Sequence, residues 1–196
     1  MALKGEKIVG NTKGISDFWL AQLEALALIH VPKDQLFSEE LAFAMAKITQ
    51  NIGCEICVYI DRHGKIVHTG VGDKHSVGLE NLSKRDAKHH LSGLRCVHTH
   101  PNGDGSLSMV DLTAMPTLKF DAMVAIGVDC NTKKDEYLLK TVGVAFGVLG
   151  EEKPKPFLCK NVKTAIGLDF KEMVTAIEKA TAKSLTHYDL NKKQTR

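Results

Sequence analysis

The chain has 196 residues, enough for one sizeable domain or one domain with an appendage, and its 43% hydrophobic and 25% charged residues are ordinary for a soluble globular protein. The net charge of +3 is mild and the basic residues are scattered, so there is no specific nucleic-acid signal. No stretch approaches the roughly 18 apolar residues of a membrane span, and Met1 to Asn11 are too polar for a secretory signal, so no membrane partner and a cytoplasmic location are expected.

Residues 1–14 read as a polar lead-in. A helix is expected over 16–29, capped by Ser16 and carrying a stripe of Phe18, Leu20, Leu23, Leu26 and Ile29. Val31-Pro32 ends it. A second helix is expected from Ser38 to about Asn51, with Leu41, Met45 and Ile48 on one side. Two strands follow, near 55–61 and 65–71, turned by Arg62-His63-Gly64. Residues 72–90 are loop-rich, with a short helix near 83–88. A buried strand is expected near 94–99, a helix near 108–119, a strand over Ala122–Val128, and one or two strands between Tyr137 and Leu149. Glu151 to Lys155 is a charged linker. A helix over 170–182 and a polar tail complete the chain. The expected organisation is therefore a lead-in (1–14), a main domain (15–150), a C-terminal helical appendage (151–183) and a tail or linker (184–196). The expected class is α/β, a mixed sheet with helices on its faces.

Five cysteines (Cys54, Cys57, Cys96, Cys130, Cys159) and no signal segment argue for a reducing compartment and against a disulfide framework. Cys54-Glu55-Ile56-Cys57 runs into a strand and has no second pair to complete a four-sulfur zinc site, so these thiols are read as small buried apolar groups. The chain has no Walker A loop, no dinucleotide fingerprint and no Gly-x-Ser-x-Gly elbow. Lys84-Arg85 and Lys88-His89-His90 form its densest basic patch, read as a solvated loop.

The chemistry is concentrated in His98-Thr99-His100-Pro101 and the downstream Ser108 and Asp111. Histidines at i and i+2 of a strand share a face, roughly 6–7 Å apart, so both rings can lean toward one ion. The turn-forming Asn102-Gly103-Asp104-Gly105 can return Asp111 as a third ligand. Zinc favours such nitrogen and oxygen donors, and a catalytic zinc takes three protein ligands beside an open position. Ser108 to Asp111 also has the form of a helix start, with Asp111 in place of the usual capping glutamate. Pro116 lies inside the expected helix, where it removes a backbone donor and clashes with the preceding turn, so a kink or an early stop is expected.

The run resembles the JAMM/MPN (JAB-type, RadC-related) metalloprotease signature, His-x-His-Pro, six residues, then Ser-x-x-Asp; Asn102 to Leu107 supply the six. That family also needs a glutamate upstream on a strand. Glu55 fits; Glu39 and Glu40 are rivals at a helix start, where acidic residues favour the dipole for structural reasons. A narrower resemblance spans about residues 8–130. Gly10-Asn11-Thr12-Lys13-Gly14-Ile15, Val31-Pro32-Lys33-Asp34, Val58-Tyr59-Ile60-Asp61-Arg62, Leu91-Ser92-Gly93-Leu94-Arg95-Cys96 and Leu118–Gly127 are similar to the N-terminal extension of bacterial HflX-type GTPases.

The resemblance implies a JAB/MPN sandwich related to cytidine deaminases. It implies Zn²⁺ on His98, His100 and Asp111, Glu55 as proton acceptor and donor, and Ser108 as donor to an oxyanion. The activity it implies is peptide or isopeptide hydrolysis. The partners it implies are a peptide or protein substrate and a downstream GTPase domain or the ribosome, for which the domain can equally serve as a catalytically silent regulatory module. A metal-free structural domain is the third reading.

Overall fold

The structure is a computed structural model, and it describes residues 8–77, 94–118, 120–147 and 154–167. Seven strands form one mixed sheet: β1 (Val9–Gly10), β2 (Ile56–Ile60), β3 (Ile66–Val71), β4 (Arg95–His100), β5 (Ala122–Val128), β6 (Leu139–Phe146) and β7 (Phe157–Cys159). Their order is β1-β3-β2-β4-β5-β6-β7. The β1–β3 and β4–β5 pairs are parallel and the others antiparallel. The described helices are α1 (Asp17–Ala25), α2 (Glu39–Ile52), α3 (Met109–Leu118) and α4 (Val162–Ile166). The α/β class and the mixed sheet expected from the pattern are present.

Strand alternation divides the side chains between two layers. Ile56, Val58 and Ile60 of β2, with Val97 of β4 and Val124 and Ile126 of β5, enter the larger core beneath α1 and α2. Cys57 and Tyr59, with Cys96 and Met123, face the other way and pack with Leu112 and Met115 of α3. The register pairs Cys57 with His98 and Tyr59 with Cys96, so His98 belongs to the α3 face. α3 is the crossover between the parallel strands β4 and β5. It brings the chain back across the C-terminal end of β4.

α2 forms as its sequence dictates. Ser38 Oγ accepts from Leu41 N at 3.1 Å, Glu39 and Glu40 occupy the first turn, and Leu41, Met45 and Ile48 are buried at helical spacing. α1 departs from expectation: Ser16 makes no side-chain capping bond, Leu26–Leu28 tighten into a 3-10 turn, and Phe18 lies 63% exposed while Leu23 and Leu26 are buried. Leu20 and Ile29 pack against the core beside them, so of the expected stripe Phe18 alone points to solvent.

Two boundaries also move. Val9 and Gly10, in the expected polar lead-in, pair with Gly70 and Val71. Phe157–Cys159 pairs with Val142–Val144 of β6, and Cys159, Val162 and Ala165 join the larger core. The residues just after 150 that the structure describes therefore extend the sheet and do not form a separate appendage. A three-residue strand and a five-residue helix carry too little periodicity to stand out in a sequence. The expected helices at 83–88 and 170–182, and His89-His90, lie outside the described residues. Among the described residues, no helix is long and apolar enough to cross a membrane.

Candidate metal centre

β4 ends on the two histidines, and its alternation points both rings off the α3 face of the sheet. The His98 and His100 Nε2 atoms stand 3.1 Å apart, with ring centroids 4.9 Å apart. The first turn of α3 delivers Asp111, whose Oδ1 is 3.6 Å from His98 Nε2. One ligand atom from each of the three residues lies within 4.8 Å of the others. Ligands on a tetrahedral zinc, at about 2.0–2.1 Å from the ion, are about 3.3 Å from one another, so the spacing fits one small cation.

The donor chemistry fits as well. His100 Nδ1 lies 2.7 Å from the Asp104 carbonyl oxygen. A carbonyl can only accept, so Nδ1 carries the hydrogen and a neutral ring presents its lone pair at Nε2. Two electron-rich atoms, His100 Nε2 and Asp111 Oδ1, thus converge on His98 Nε2 and call for positive charge between them, either an imidazole proton or a metal. Burial and the neighbouring His98 both lower the proton affinity of His100, which favours the unprotonated ligand form. Burial alone would raise the Asp111 pKa. Its bonds to His98 and Ser108 outweigh that and hold the carboxyl well below the ordinary carboxylate range.

Pro116 does not stop α3, which runs on to Leu118 with the proline inside it. Asp111 sits more than a turn earlier and keeps its place beside His98. Ser108 directs its hydroxyl at Asp111 Oδ2 (2.7 Å), and Asp111 N donates back to Ser108 Oγ (3.1 Å). The helix-start reading is realised, and the same carboxylate stands where it could join His98 and His100 in holding a metal ion. Ser108 orients Asp111 here, and its hydroxyl hydrogen would have to rotate to serve an oxyanion.

Glu55 precedes β2 and has the same strand parity as Cys57, so it belongs to the α3 face with the histidines. It is 6% exposed. Desolvation pushes its pKa from 4.5 up to about 7; His98 opposes this, while Asp111 and Asp73 add to it. The rivals Glu39 and Glu40 are exposed on α2, across the sheet. His63 and His75 are exposed in loops, and His68 is buried and stacked on Tyr59 at 4.9 Å. Burial pushes the Cys57 thiol up to about 12 and that of Cys96 well above its usual value. Both are inert packing groups beneath the site, in line with the reading of the cysteines.

Two contributors were not singled out from sequence. Buried Thr99, between the histidines, points to the opposite face; its Oγ1 meets Thr49 Oγ1 of α2 at 2.6 Å and accepts from Ile56 N at 3.1 Å. It pins the start of β2, next to Glu55, to β4 and α2. The second is the Asp104 carbonyl, held in place by glycines. The loop at 102–107 lies flat on β5 and β6 because a Cβ at Gly127 would stand 2.3 Å from the Gly103 oxygen, and one at Gly143 would stand 2.2 Å from the Gly105 oxygen. Gly127→Ala is expected to lift this loop and release His100 Nδ1. Metal affinity should fall about 10–100-fold, the usual cost of losing an outer-shell partner, as read by chelator competition. An affinity equal to wild type would show that the loop does not hold the ring.

Compared with protein-family models, curated proteins and solved structures, the chain matches none. What the chain can do chemically is therefore read from the site itself: three convergent atoms that could hold a metal ion, and one buried carboxyl whose pKa is raised to about 7.

Proposed function

We propose that the chain carries a JAB/MPN-like zinc centre that hydrolyses peptide or isopeptide amide bonds. The reading draws on the resemblance of residues 8–130 and is supported above all by one observation. The convergent His98, His100 and Asp111 share a face of the sheet with a buried glutamate whose pKa is about 7. A purely structural metal site would close its coordination with a fourth protein ligand. Among the described residues, no fourth histidine, cysteine or acidic group joins this cluster.

When bound, zinc supplies Lewis-acid polarisation of an amide carbonyl and makes water acidic enough to attack near neutral pH. The chain's residues do the rest. His98 and His100 hold the ion through neutral imidazoles, and Asp111 holds it through a carboxylate aimed by Ser108. Glu55, poised near neutrality, takes a proton from the attacking water and returns it to the departing amine, the two halves of general base and acid catalysis. Ser108, by rotating its hydroxyl, is placed to donate to the developing oxyanion.

The test is metal analysis of the chain purified without chelator, followed by a mixed peptide library. One zinc per chain and cleavage that stops on chelation are expected. A chain that takes up no zinc would sink the proposal. Stoichiometric zinc with every peptide intact would remove the hydrolytic half and leave a metal-binding module.

A further inference from the structure

α3 has an unusual outer face. Its ten residues include one charge, Asp111, which is already drawn into the metal cluster. Leu112 and Met115 serve the core. Ala114 and Leu118 are half-buried, while Met109, Val110, Thr113, Pro116 and Thr117 are exposed, and at 3.6 residues per turn these five share roughly one third of the helix circumference. Met109 and Val110 are 61% and 77% exposed. The threonines add little polarity, because Thr113 Oγ1 donates to the Met109 carbonyl at 2.7 Å and Thr117 Oγ1 to the Thr113 carbonyl at 3.0 Å. Both hydroxyl hydrogens are thus engaged by the helix's own backbone. Pro116 contributes a ring and no donor. The outcome is an uncharged, largely apolar helix face in water, where a surface helix ordinarily carries charges.

This face starts at the metal cluster itself. Met109 and Val110 are the two residues between Ser108 and Asp111. An extended peptide advances about 3.3–3.6 Å per residue. A substrate with its reacting carbonyl beside His98, His100 and Asp111 therefore carries the next one or two side chains over this turn. We propose that the Met109–Val110 turn is the specificity surface of the site, and that it takes the apolar side chains of a peptide segment flanking the amide to be cleaved. The inference rests on the reading of the site as one that accepts peptides. An acidic or strongly basic flank finds no partner on the face and would lose its hydration there. Methionine is unbranched and adaptable, so leucine, phenylalanine and methionine flanks should all be accepted.

The experiment is methyl NMR on the full chain, both zinc-loaded and chelator-treated, titrated with acetyl-Leu-Leu-Gly-amide and, separately, acetyl-Asp-Asp-Gly-amide. Saturable shifts of the Met109 and Val110 methyls with the leucine peptide alone are expected. The double variant M109Q/V110Q keeps a helix-compatible first turn and adds no charge to it. It should bind the leucine peptide about tenfold or more weakly, given the apolar area removed, and hold zinc as the wild type does. Equal response to both peptides, no response to either, or an unchanged affinity in the variant overturns the inference. So do methyl shifts that follow protein concentration without peptide, which would mark a self-association face. Selective peptide binding by a chain that takes no zinc would uphold the face and sink the metal centre. Zinc uptake with both peptides ignored would do the reverse.

Discussion

Glu55→Gln in the zinc-loaded protein is expected to lower peptide turnover by about 10²–10⁴-fold, the usual contribution of a positioned acid–base group, while zinc content stays at the wild-type level. Glutamine keeps the shape but cannot ionise, so it can neither take up nor return a proton. Glu55 is not among the residues whose atoms converge on the metal position, so retained zinc separates a lost proton carrier from a lost ligand. The pH profile carries the same information. The Glu55 pKa is raised from 4.5 to about 7, so the carboxyl is protonated and idle below that value and ionised above it. Activity should climb with pH through a midpoint at or below about 7, since a nearby cation pulls the value down. This ascending limb should vanish in the residual activity of the variant. Turnover within a fewfold of wild type would remove Glu55 from the reaction.

The same shift predicts a stability effect in metal-free protein. A carboxyl with a raised folded-state pKa binds its proton more tightly when folded. Stability is unaffected by this group below about pH 4.5, declines between 4.5 and 7, and stays lowered above that. Metal-free Glu55→Gln should therefore be more stable than wild type at pH 8, by on the order of 2 kcal/mol, and equal to it near pH 4. Denaturant melts at the two pH values in chelator read this directly.

The second large effect is loss of the ion. His98→Ala and Asp111→Ala should each lower zinc affinity beyond the roughly 10–100-fold that outer-shell changes cost, and turnover should fall with it. Asp111→Ala also removes the Oδ2 that accepts from the Ser108 backbone N–H and hydroxyl at the start of α3, a loss of about 1 kcal/mol for a helix start of this kind, which leaves the fold in place. Asp111 stays ionised well into the acid range because its pKa is lowered. Acid release of zinc should thus come before protonation of Asp111, with affinity rising as pH rises and then levelling off. Dialysis at graded pH with metal analysis measures this. Stoichiometric zinc in either alanine variant would show that the ion, if any, sits elsewhere.

Much of this site could be read without coordinates because its parts are close in sequence. The i, i+2 spacing of His98 and His100 on a strand fixes a shared face, and a turn of glycines and asparagine leading to a helix start fixes the return of Asp111. The amphipathic pattern of Glu39–Ile52 fixed α2 in the same way. The apolar run Ala122–Val128, buried throughout, fixed β5. Where the signal was short or the packing distant, the reading fell away. β7 is three residues long, and Phe157 and Leu158 are exposed, so no alternation marks it. Phe18 looked like core because it continued a helical stripe, but the core takes Leu20, Leu23, Leu26 and Ile29 and leaves Phe18 in solvent.

Residue spacing thus determined which side chains can share an ion, since strand and helix periods are local rules that hold wherever the chain forms those elements. The choice of Glu55 over Glu39 and Glu40 could be argued from its strand position, but burial on the α3 face and the resulting pKa near 7 came only from the assembled sheet. So did the inward turn of the Ser108 hydroxyl, the seating of the Asp104 carbonyl on glycines 127 and 143, and the bare face of α3. These depend on which surfaces are desolvated and which atoms meet across tens of residues, and that is decided by the packing of the whole chain.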